Sequence, residues 1–215
     1  MRPLRVLSRL KSLTSLTKLK DSCTEAVIIG SGPTFFDYSE LSQFEHLPVL
    51  FINQMHQVSH FCPSPRQYFF SHHIDSYLNV SPTTVWIRRM YLADNGYRGH
   101  IETRSKPKNK FLTIDCQSQD IVADDNFFKT HDWLLDKNEV LIRNRFLALF
   151  GTITTAMHFA WFCGAKKLIM IGCNPYSGSV DHDPRIGGTM TCGPDMVHKN
   201  TVLLPRYLNI EVEHL

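Results

Sequence analysis

Residues 25–34 read EAVIIGSGPT, a short apolar run that ends in a glycine-rich turn. An apolar run such as 26–29, bounded by glycine, is typical of a strand that is covered on both faces in a parallel sheet. Gly30 and Gly32 allow the backbone to turn sharply and to leave main-chain N–H groups uncovered. If a helix follows, its N-terminus adds unpaired donors, and the turn becomes a candidate phosphate site. A plain strand-to-helix turn is the alternative, since the full G-x-G-x-x-G fingerprint is absent.

Similar apolar runs recur along the chain and predict alternating strands and helices. Short runs rich in apolar residues predict strands at 27–29, 49–53, 67–71, 84–88, 167–172 and 210–215. A short helix is predicted from Tyr38 to Phe44, and a second at 152–163, where Gly164 ends it. The alternation predicts an α/β fold with a doubly wound, mainly parallel sheet in a Rossmann-like nucleotide-binding arrangement. Ligands of such sheets bind beyond the carboxyl ends of the strands.

Composition and length predict one globular domain. The chain has 215 residues, of which 43% are hydrophobic and 20% charged, enough for a single sizeable core. A net charge of +3 is too weakly basic to indicate a nucleic-acid partner. The six cysteines form no C-x-x-C pair, which argues against a zinc ribbon or redox motif and favours reduced thiols in a cytoplasm.

The start of the chain differs from the rest. Residues 1–20 contain six basic residues, no acidic residue, and leucines three positions apart. This pattern gives an apolar stripe opposite a basic side, as in helices that lie on anionic membranes. A solvated or packed helix is the alternative, and no apolar run approaches the roughly 18 residues of a membrane span.

We therefore expect a basic leader helix at 1–22 and a single α/β nucleotide-sugar-binding domain at 23–215. Peripheral contact with an anionic membrane is predicted for residues 1–20. A loop-rich insertion is predicted near 96–125, around a strand at 111–114, because glycine, proline and a basic turn interrupt the alternation there.

Polar or glycine clusters follow four of the predicted strands. They are Gly30 to Thr34, Asn53-Gln54, Ser71-His72-His73 and Gly172 to Tyr176. Because the carboxyl ends of parallel strands meet at one edge of a sheet, these clusters are candidates for a shared ligand site. Asparagine and glutamine provide paired donors and acceptors for a base or sugar edge, whereas simple turn capping is the alternative.

Two blocks of the sequence carry a family resemblance. VIIGSGPTFFDYSEL at 27–41, followed by VLFINQM at 49–55, resembles the opening of the bacterial sialyltransferases of glycosyltransferase family 42. GTITTAMHFAWFCGAKKLIMIGCNPY at 151–176 resembles that family's helix, strand and Gly-x-Asp-x-Tyr block. The second block also resembles the related motility-associated proteins of unknown-function family 115, some of whose relatives are pterin pyrophosphokinases. The resemblance covers about half of the chain.

The resemblance implies a binding site for a CMP-activated sugar. It places the donor phosphate and ribose at the turn after the first strand and further donor contacts at later strand ends. The implied donor-binding residues are Gly30, Ser31, Gly32, Pro33, Thr34, Asn53, Gln54, Ser71, Thr152 and Asn174. Ser31 and Ser71 stand where the family has asparagine, and Asn174 stands where it has aspartate.

The resemblance also implies two catalytic residues. Tyr176 matches a tyrosine that hydrogen-bonds the leaving phosphate in the family, and His198 matches the histidine that acts as general base. Sugar transfer from a CMP donor passes through an oxocarbenium-like centre, so the leaving phosphate must be stabilised and the acceptor proton removed. Histidine suits the second task because it is neutral before the step and charged after it. A surface histidine in a loop is the alternative for His198.

Asp181 and Asp183 leave a metal-dependent alternative open. They flank His182 and resemble the D-x-D of nucleotide-diphosphate sugar transferases, in which carboxylates bind Mg²⁺ or Mn²⁺ together with donor phosphates. The donors of family 42 carry a monophosphate and need no metal for the chemistry. We therefore predict neither a metal nor a cofactor, with the CMP-activated sugar as donor substrate.

These observations predict a sialyltransferase-like glycosyltransferase that moves an acidic sugar from CMP to a bacterial surface glycan such as lipopolysaccharide. It would act in the cytoplasm, at the inner membrane face. Two alternatives stay open. One is a pterin-type diphosphokinase, in which Asp181 and Asp183 would bind metal. The other is a non-catalytic nucleotide-sugar binding module, because residues 210–215 end the chain where the family continues into a lid-bearing helical portion.

Overall fold

A computed structural model of the chain describes residues 14–32, 37–71, 83–91, 111–118, 124–149, 151–173 and 194–215. These residues form one 8-stranded sheet in which every neighbouring pair is parallel. The strands are β1 (Glu25–Ile29), β2 (Val49–Ile52), β3 (Gln67–Ser71), β4 (Thr83–Tyr91), β5 (Phe111–Ser118), β6 (Arg145–Ala148), β7 (Lys167–Ile171) and β8 (Glu211–His214). The predicted α/β fold with a mainly parallel sheet is confirmed.

Helices connect these strands. Residues 14–19 are helical and are called α1. The other α-helices are α2 (Asp125–Thr130), α3 (Lys137–Arg143), α4 (Thr152–Phe162) and α5 (Pro194–Leu208). In addition, 3-10 helices occupy Tyr38–Phe44, Asn53–Phe61 and Asp132–Leu135.

The strand order contains one reversal. Read across the sheet it is β6-β5-β4-β3-β2-β1-β7-β8, so β2 to β6 extend the sheet on one side of β1, and β7 and β8 extend it on the other. Such a reversal is the topological switch point of an open α/β sheet, where ligands bind beyond the carboxyl ends of the strands. In this chain the switch point lies between β1 and β7.

Both faces of the central strands are covered. In β1, Ala26 and Ile28 belong to a hydrophobic cluster that includes α4 and α5. Val27 and Ile29 belong to a second cluster, which includes the 3-10 helices that follow β1 and β2. This arrangement explains why β1 is a continuous apolar run rather than an alternation of apolar and polar residues.

The predicted insertion contributes an inner strand of the sheet. Residues 111–118 form β5, which pairs with both β4 and β6. The strand is therefore longer than the predicted 111–114, and the segment is not simply an addition outside the sheet. The predicted strand was too short because the polar residues in FLTIDCQS interrupt the apolar run from which a strand is predicted.

The end of the predicted leader helix belongs to the folded core. Leu16 is fully buried in the cluster that contains α4, and Leu19 packs against that cluster. Asp21 donates its backbone N–H to the carbonyl oxygen of Phe162 at 3.2 Å, and the N–H of Cys23 donates to that of Cys163 at 2.9 Å. Residues 16–23 are thus attached to the C-terminal end of α4. Among the described residues, no helix is long and apolar enough to cross a membrane.

Candidate functional site

The carboxyl ends of the strands lie at one edge of the parallel sheet, which we call the carboxyl edge; the opposite edge is the amino edge. Residues 30–32 follow β1, and Gly172 and Cys173 follow β7. The helix Asn53–Phe61 begins directly after β2, and Ser71 is the last residue of β3. Four adjacent strands, β3, β2, β1 and β7, therefore end in the clusters that the sequence singled out.

Two helices begin at the same edge. α4 leads from the carboxyl end of β6 towards the amino end of β7, so its first residue, Thr152, lies at the carboxyl edge. Gly151 precedes it with φ 84° and provides no side-chain cap. A methyl group at the Cβ position of Gly151 would lie 3.7 Å from Cγ2 of Val197 in α5. Because His198 follows Val197, its backbone lies beside the N-terminal end of α4.

The turn after β1 stays paired with β7. Gly30 donates its N–H to the carbonyl oxygen of Ile171 at 2.7 Å, and Gly32 donates its N–H to that of Gly172, also at 2.7 Å. The expectation that this turn leaves its N–H groups uncovered is therefore wrong for Gly30 and Gly32. Their amides continue the β1–β7 ladder beyond the last strand residues and are not free to bind a phosphate.

Gly30 and Gly172 approach each other too closely for either to carry a side chain. A Cβ atom on Gly30 would lie 2.5 Å from the carbonyl oxygen of Gly172 and 2.8 Å from Sγ of Cys173. A Cβ on Gly172 would meet the carbonyl oxygen of Gly30 more closely still, and Gly172 also has φ +62°, in the left-handed region. Sequence reading identified both strand ends but not this contact. The available signal was a glycine directly after each of two buried apolar strands.

Two of the predicted donor-binding side chains, Ser31 and Thr152, are buried, and so is Cys173 after β7. Ser31 is 4% exposed and Thr152 is 6% exposed. The thiol of Cys173 donates weakly to the carbonyl oxygens of Ile171 at 3.3 Å and Ile28 at 3.8 Å. Burial raises the pKa of Cys173 to about 12, so the thiol stays protonated at neutral pH. Cys173 therefore lies in the core as a buried, protonated thiol.

Thr154 fixes the first turn of α4 to the edge strand. Its hydroxyl donates to the carbonyl oxygen of Gly151 at 3.1 Å and accepts the backbone N–H of Leu149, also at 3.1 Å. Among the described strands β6 pairs only with β5, so the amides on its other side and that of Leu149 just after it need other partners. Thr154 provides one of them and holds Thr152 in place at the carboxyl edge.

His158, one helical turn further on, provides a second partner. Its Nδ1 accepts the N–H of Leu147 at 3.2 Å, and its Nε2 lies 2.8 Å from the carbonyl oxygen of Leu134. Since an N–H points at Nδ1 and a carbonyl at Nε2, the neutral ring carries its proton on Nε2. Complete burial lowers the pKa of His158 to about 4. The histidine is a structural link, which sequence reading did not single out because it lies inside an apolar helix.

The predicted site residues fall into three groups, according to how much of each residue the structure describes. Gly30, Ser31, Gly32 and Thr152 are described with their surroundings, whereas Asn53, Gln54, Ser71 and His198 are located by their backbone. Pro33, Thr34, Asn174, Tyr176, Asp181 and Asp183 lie outside the described residues. Seven of these eight located positions lie at the carboxyl edge, and the eighth, His198, lies near the start of α5. Within the described ranges no cluster of three or more His, Cys, Asp or Glu could hold a metal ion.

The amino edge has a different chemistry. Arg66 donates its guanidinium N–H groups to the carbonyl oxygens of His46 at 2.6 Å and Ser22 at 3.4 Å. The ammonium group of Lys137 lies 2.5 Å from the carboxylate of Asp21, and this hydrogen bond lowers the pKa of Asp21. These contacts join the chain segment before β1 to the sheet and to α3. None of the predicted site residues that the structure locates lies at this edge.

The chain matches no protein-family model, and no curated protein matches it at a significant level. The fold and the site nonetheless define a class: an α/β protein with a parallel sheet and a candidate ligand site at its topological switch point. A fold of this kind serves many activities, so the function must be argued from the site.

Proposed function

We propose that the chain is a sialyltransferase-like glycosyltransferase, which moves an acidic sugar from a CMP donor to a bacterial surface glycan. The observation that carries the proposal is that the located positions of the implied site lie on the carboxyl side of the sheet. The positions at 30–32, 53–54 and 71 follow three adjacent strands, β1, β2 and β3, beside the switch point, and Thr152 and His198 lie near the N-terminal ends of α4 and α5. Sites built from several strand ends are what nucleotide-binding α/β proteins use.

The donor nucleotide would lie across the carboxyl ends of β1, β2 and β3. Asn53 and Gln54 begin the helix after β2, where amide side chains suit the edge of a base or a ribose. Thr152 begins α4, and the partial positive charge of a helix N-terminus favours the donor phosphate. The pairing of the Gly30 and Gly32 amides leaves this helix end as the better-placed source of positive potential.

In the proposed reaction, the acceptor hydroxyl oxygen bonds to the anomeric carbon of the sugar while the bond from that carbon to the CMP phosphate oxygen breaks. CMP leaves with the bonding electron pair, and Tyr176 donates a hydrogen bond to its phosphate. His198 takes the proton of the acceptor hydroxyl. The backbone of His198 lies on α5, next to the start of α4, which is consistent with a base that faces the donor from the acceptor side.

Membrane contact is proposed for the first part of the chain. The basic residues of 1–20 would hold the protein at the anionic inner face of the bacterial membrane, on the cytoplasmic side. The burial of Leu16 in the core removes that leucine from the proposed contact.

A non-catalytic nucleotide-sugar binding module is the second candidate. The same strand ends favour it, because the located donor positions at β1, β2 and β3 would bind a nucleotide whether or not a reaction follows. A pterin-type diphosphokinase is a third candidate, and it would need Asp181 and Asp183 as metal ligands.

A thermal-denaturation titration of the full chain with CMP, CDP, UDP and ATP, with and without Mg²⁺, tests the proposal. We expect CMP to stabilise the protein most; a ligand specific for the folded state adds about 2.7 kcal/mol at roughly 100 times its dissociation constant. Stabilisation by ATP alone, and only with Mg²⁺, would favour the diphosphokinase. CMP stabilisation without turnover of a CMP-activated sugar would favour the binding module, and no shift with CMP would reject both nucleotide-sugar readings.

A further inference from the structure

The contact between Gly30 and Gly172 lies at the switch point itself. The two glycines follow β1 and β7, which are the neighbouring strands on either side of the reversal in strand order. The hydrogen bonds from Gly30 to Ile171 and from Gly32 to Gly172, each 2.7 Å long, lock the two turns together beyond the strands. No side chain separates them, since a Cβ on Gly30 would lie 2.5 Å from the backbone oxygen of Gly172.

This close approach fixes the relative position of two parts of the proposed site. The turn after β1 carries Gly30, Ser31 and Gly32 of the proposed donor site, and Gly172 and Cys173 form the described part of the turn after β7. If the two turns moved apart, residues from β1 and from β7 would no longer reach the same donor molecule. A displacement of about 1 Å at such a site is enough to lower its function strongly.

We infer that Gly172 is a positioning residue of the nucleotide site: its lack of a side chain and its left-handed backbone hold the β7 turn against Gly30. The identity of the ligand in this inference rests on the proposed function, whereas the contact between Gly172 and Gly30 does not depend on it. It predicts that a side chain at 172 reduces nucleotide affinity by moving the turns apart, beyond any general loss of stability.

Gly164 provides a matched control at the opposite edge of the sheet. It has φ +107°, and a Cβ there would lie 2.5 Å from the carbonyl oxygen of Cys23. Gly164→Ala therefore introduces the same kind of backbone strain and the same kind of clash as Gly172→Ala, but at the amino edge. If the two variants differ in CMP affinity, the difference comes from where each glycine lies in the fold and not from backbone strain alone.

The experiment measures CMP affinity by calorimetry for the wild type, Gly172→Ala and Gly164→Ala, at a temperature where each is folded by circular dichroism. We expect Gly172→Ala to weaken CMP binding at least tenfold and Gly164→Ala to change it less than twofold. Equal affinities in all three proteins would overturn the inference, and so would an equal loss in both variants.

A second variant covers the case in which Gly172→Ala does not fold. Cys173→Val keeps both glycines but adds bulk where Sγ of Cys173 already lies 2.8 Å from the Cβ position of Gly30. We expect it to fold and to weaken CMP binding about threefold. Unchanged affinity in this variant would overturn the inference.

Hydrogen exchange separates a failure of the inference from a failure of the proposed function. The amides of Gly30 and Gly32 donate to the β7 turn, so Gly172→Ala, or Cys173→Val in its place, should accelerate their exchange whereas Gly164→Ala should not. If the wild type binds no CMP, the proposed function fails, and faster exchange confined to these two amides still supports the positioning role. Unchanged exchange would reject that role whatever the protein binds.

Discussion

The carboxyl edge and the amino edge of this sheet use similar residues for different purposes. At the carboxyl edge, Gly30 and Gly172 bring the ends of β1 and β7 together. At the amino edge, Gly164 lets the end of α4 approach the backbone of Cys23, where the chain enters the sheet. Close glycine contacts therefore do not by themselves indicate a ligand site. Their place relative to the switch point decides the interpretation.

The carboxyl edge and the amino edge also differ in their polar groups. Ser31 and Thr152 are buried at the carboxyl edge. The amino edge has the Asp21–Lys137 ion pair and Arg66, whose partners are protein groups. The charges of the amino edge thus pair with groups of the chain itself, whereas the carboxyl edge holds the located residues of the proposed donor site.

The largest expected effect is at His198. If it removes the acceptor proton, His198→Ala should slow sugar transfer by 10²- to 10⁴-fold, the range typical of losing a general base. CMP affinity should stay the same, because the base lies on the acceptor side of the donor. Steady-state kinetics with a CMP-activated sugar and calorimetry with CMP measure the two quantities. Lys199→Ala changes the exposed neighbour and serves as the control. Full activity of His198→Ala would place the base elsewhere.

The variant Leu16→Ala tests whether the amino edge stabilises the fold without contributing to the nucleotide site. Its side chain is fully buried, so Leu16→Ala should lower the free energy of unfolding by about 2–5 kcal/mol, as expected for a large-to-small change in a core. CMP affinity of the folded fraction should not change, because the site lies at the other edge. Urea denaturation and calorimetry provide both measurements, with the partly buried Leu19→Ala as a control of smaller effect. A loss of CMP affinity without a loss of stability would contradict the division between the edges.

His158 should make the free energy of unfolding depend on pH. Its pKa is about 4 in the folded protein, against an ordinary value of 6.5, so below pH 6.5 the unfolded chain takes up a proton that the folded chain does not. Stability should therefore fall as the pH decreases from 6.5 to 4, by about 3 kcal/mol in total from this residue. Above pH 6.5 the histidine should contribute no pH dependence.

The variant His158→Gln isolates that contribution. It should be less stable than the wild type at pH 7, because the paired groups of Leu134 and Leu147 lose their fitted partner. Its stability should then change less between pH 6.5 and 4 than that of the wild type in urea titrations. His46→Gln, which replaces an exposed histidine, serves as the control. Parallel curves for His158→Gln and the wild type would contradict the neutral, buried state of His158.

Sequence reading located the buried strands well because their chemistry is local. β3 agrees with the prediction at both ends, and the short helix Tyr38–Phe44 agrees as well. β6 and the full length of β5 were not predicted. β6 is a strand of only four residues, RFLA, and β5 contains several polar residues, so neither stands out as an apolar run.

The features that depend on tertiary structure were the ones that the sequence did not show. The residues around the switch point could be listed from their positions after predicted strands, but the strand order that makes β1 and β7 neighbours is a property of the whole sheet. The pairing of the Gly30 and Gly32 amides follows from that order. It reversed the local expectation that the turn offers them to a phosphate.

A nitrogen-15 NMR titration of the full chain with CMP tests the division between the edges most directly. The account predicts that the amide signals of residues 30–32, Gly172 and Cys173 shift with CMP, while those of Cys23 and Arg66 at the amino edge do not. Shifts centred on the amino edge, or no shifts at millimolar CMP, would contradict the assignment of the nucleotide site to the carboxyl ends of β1 and β7.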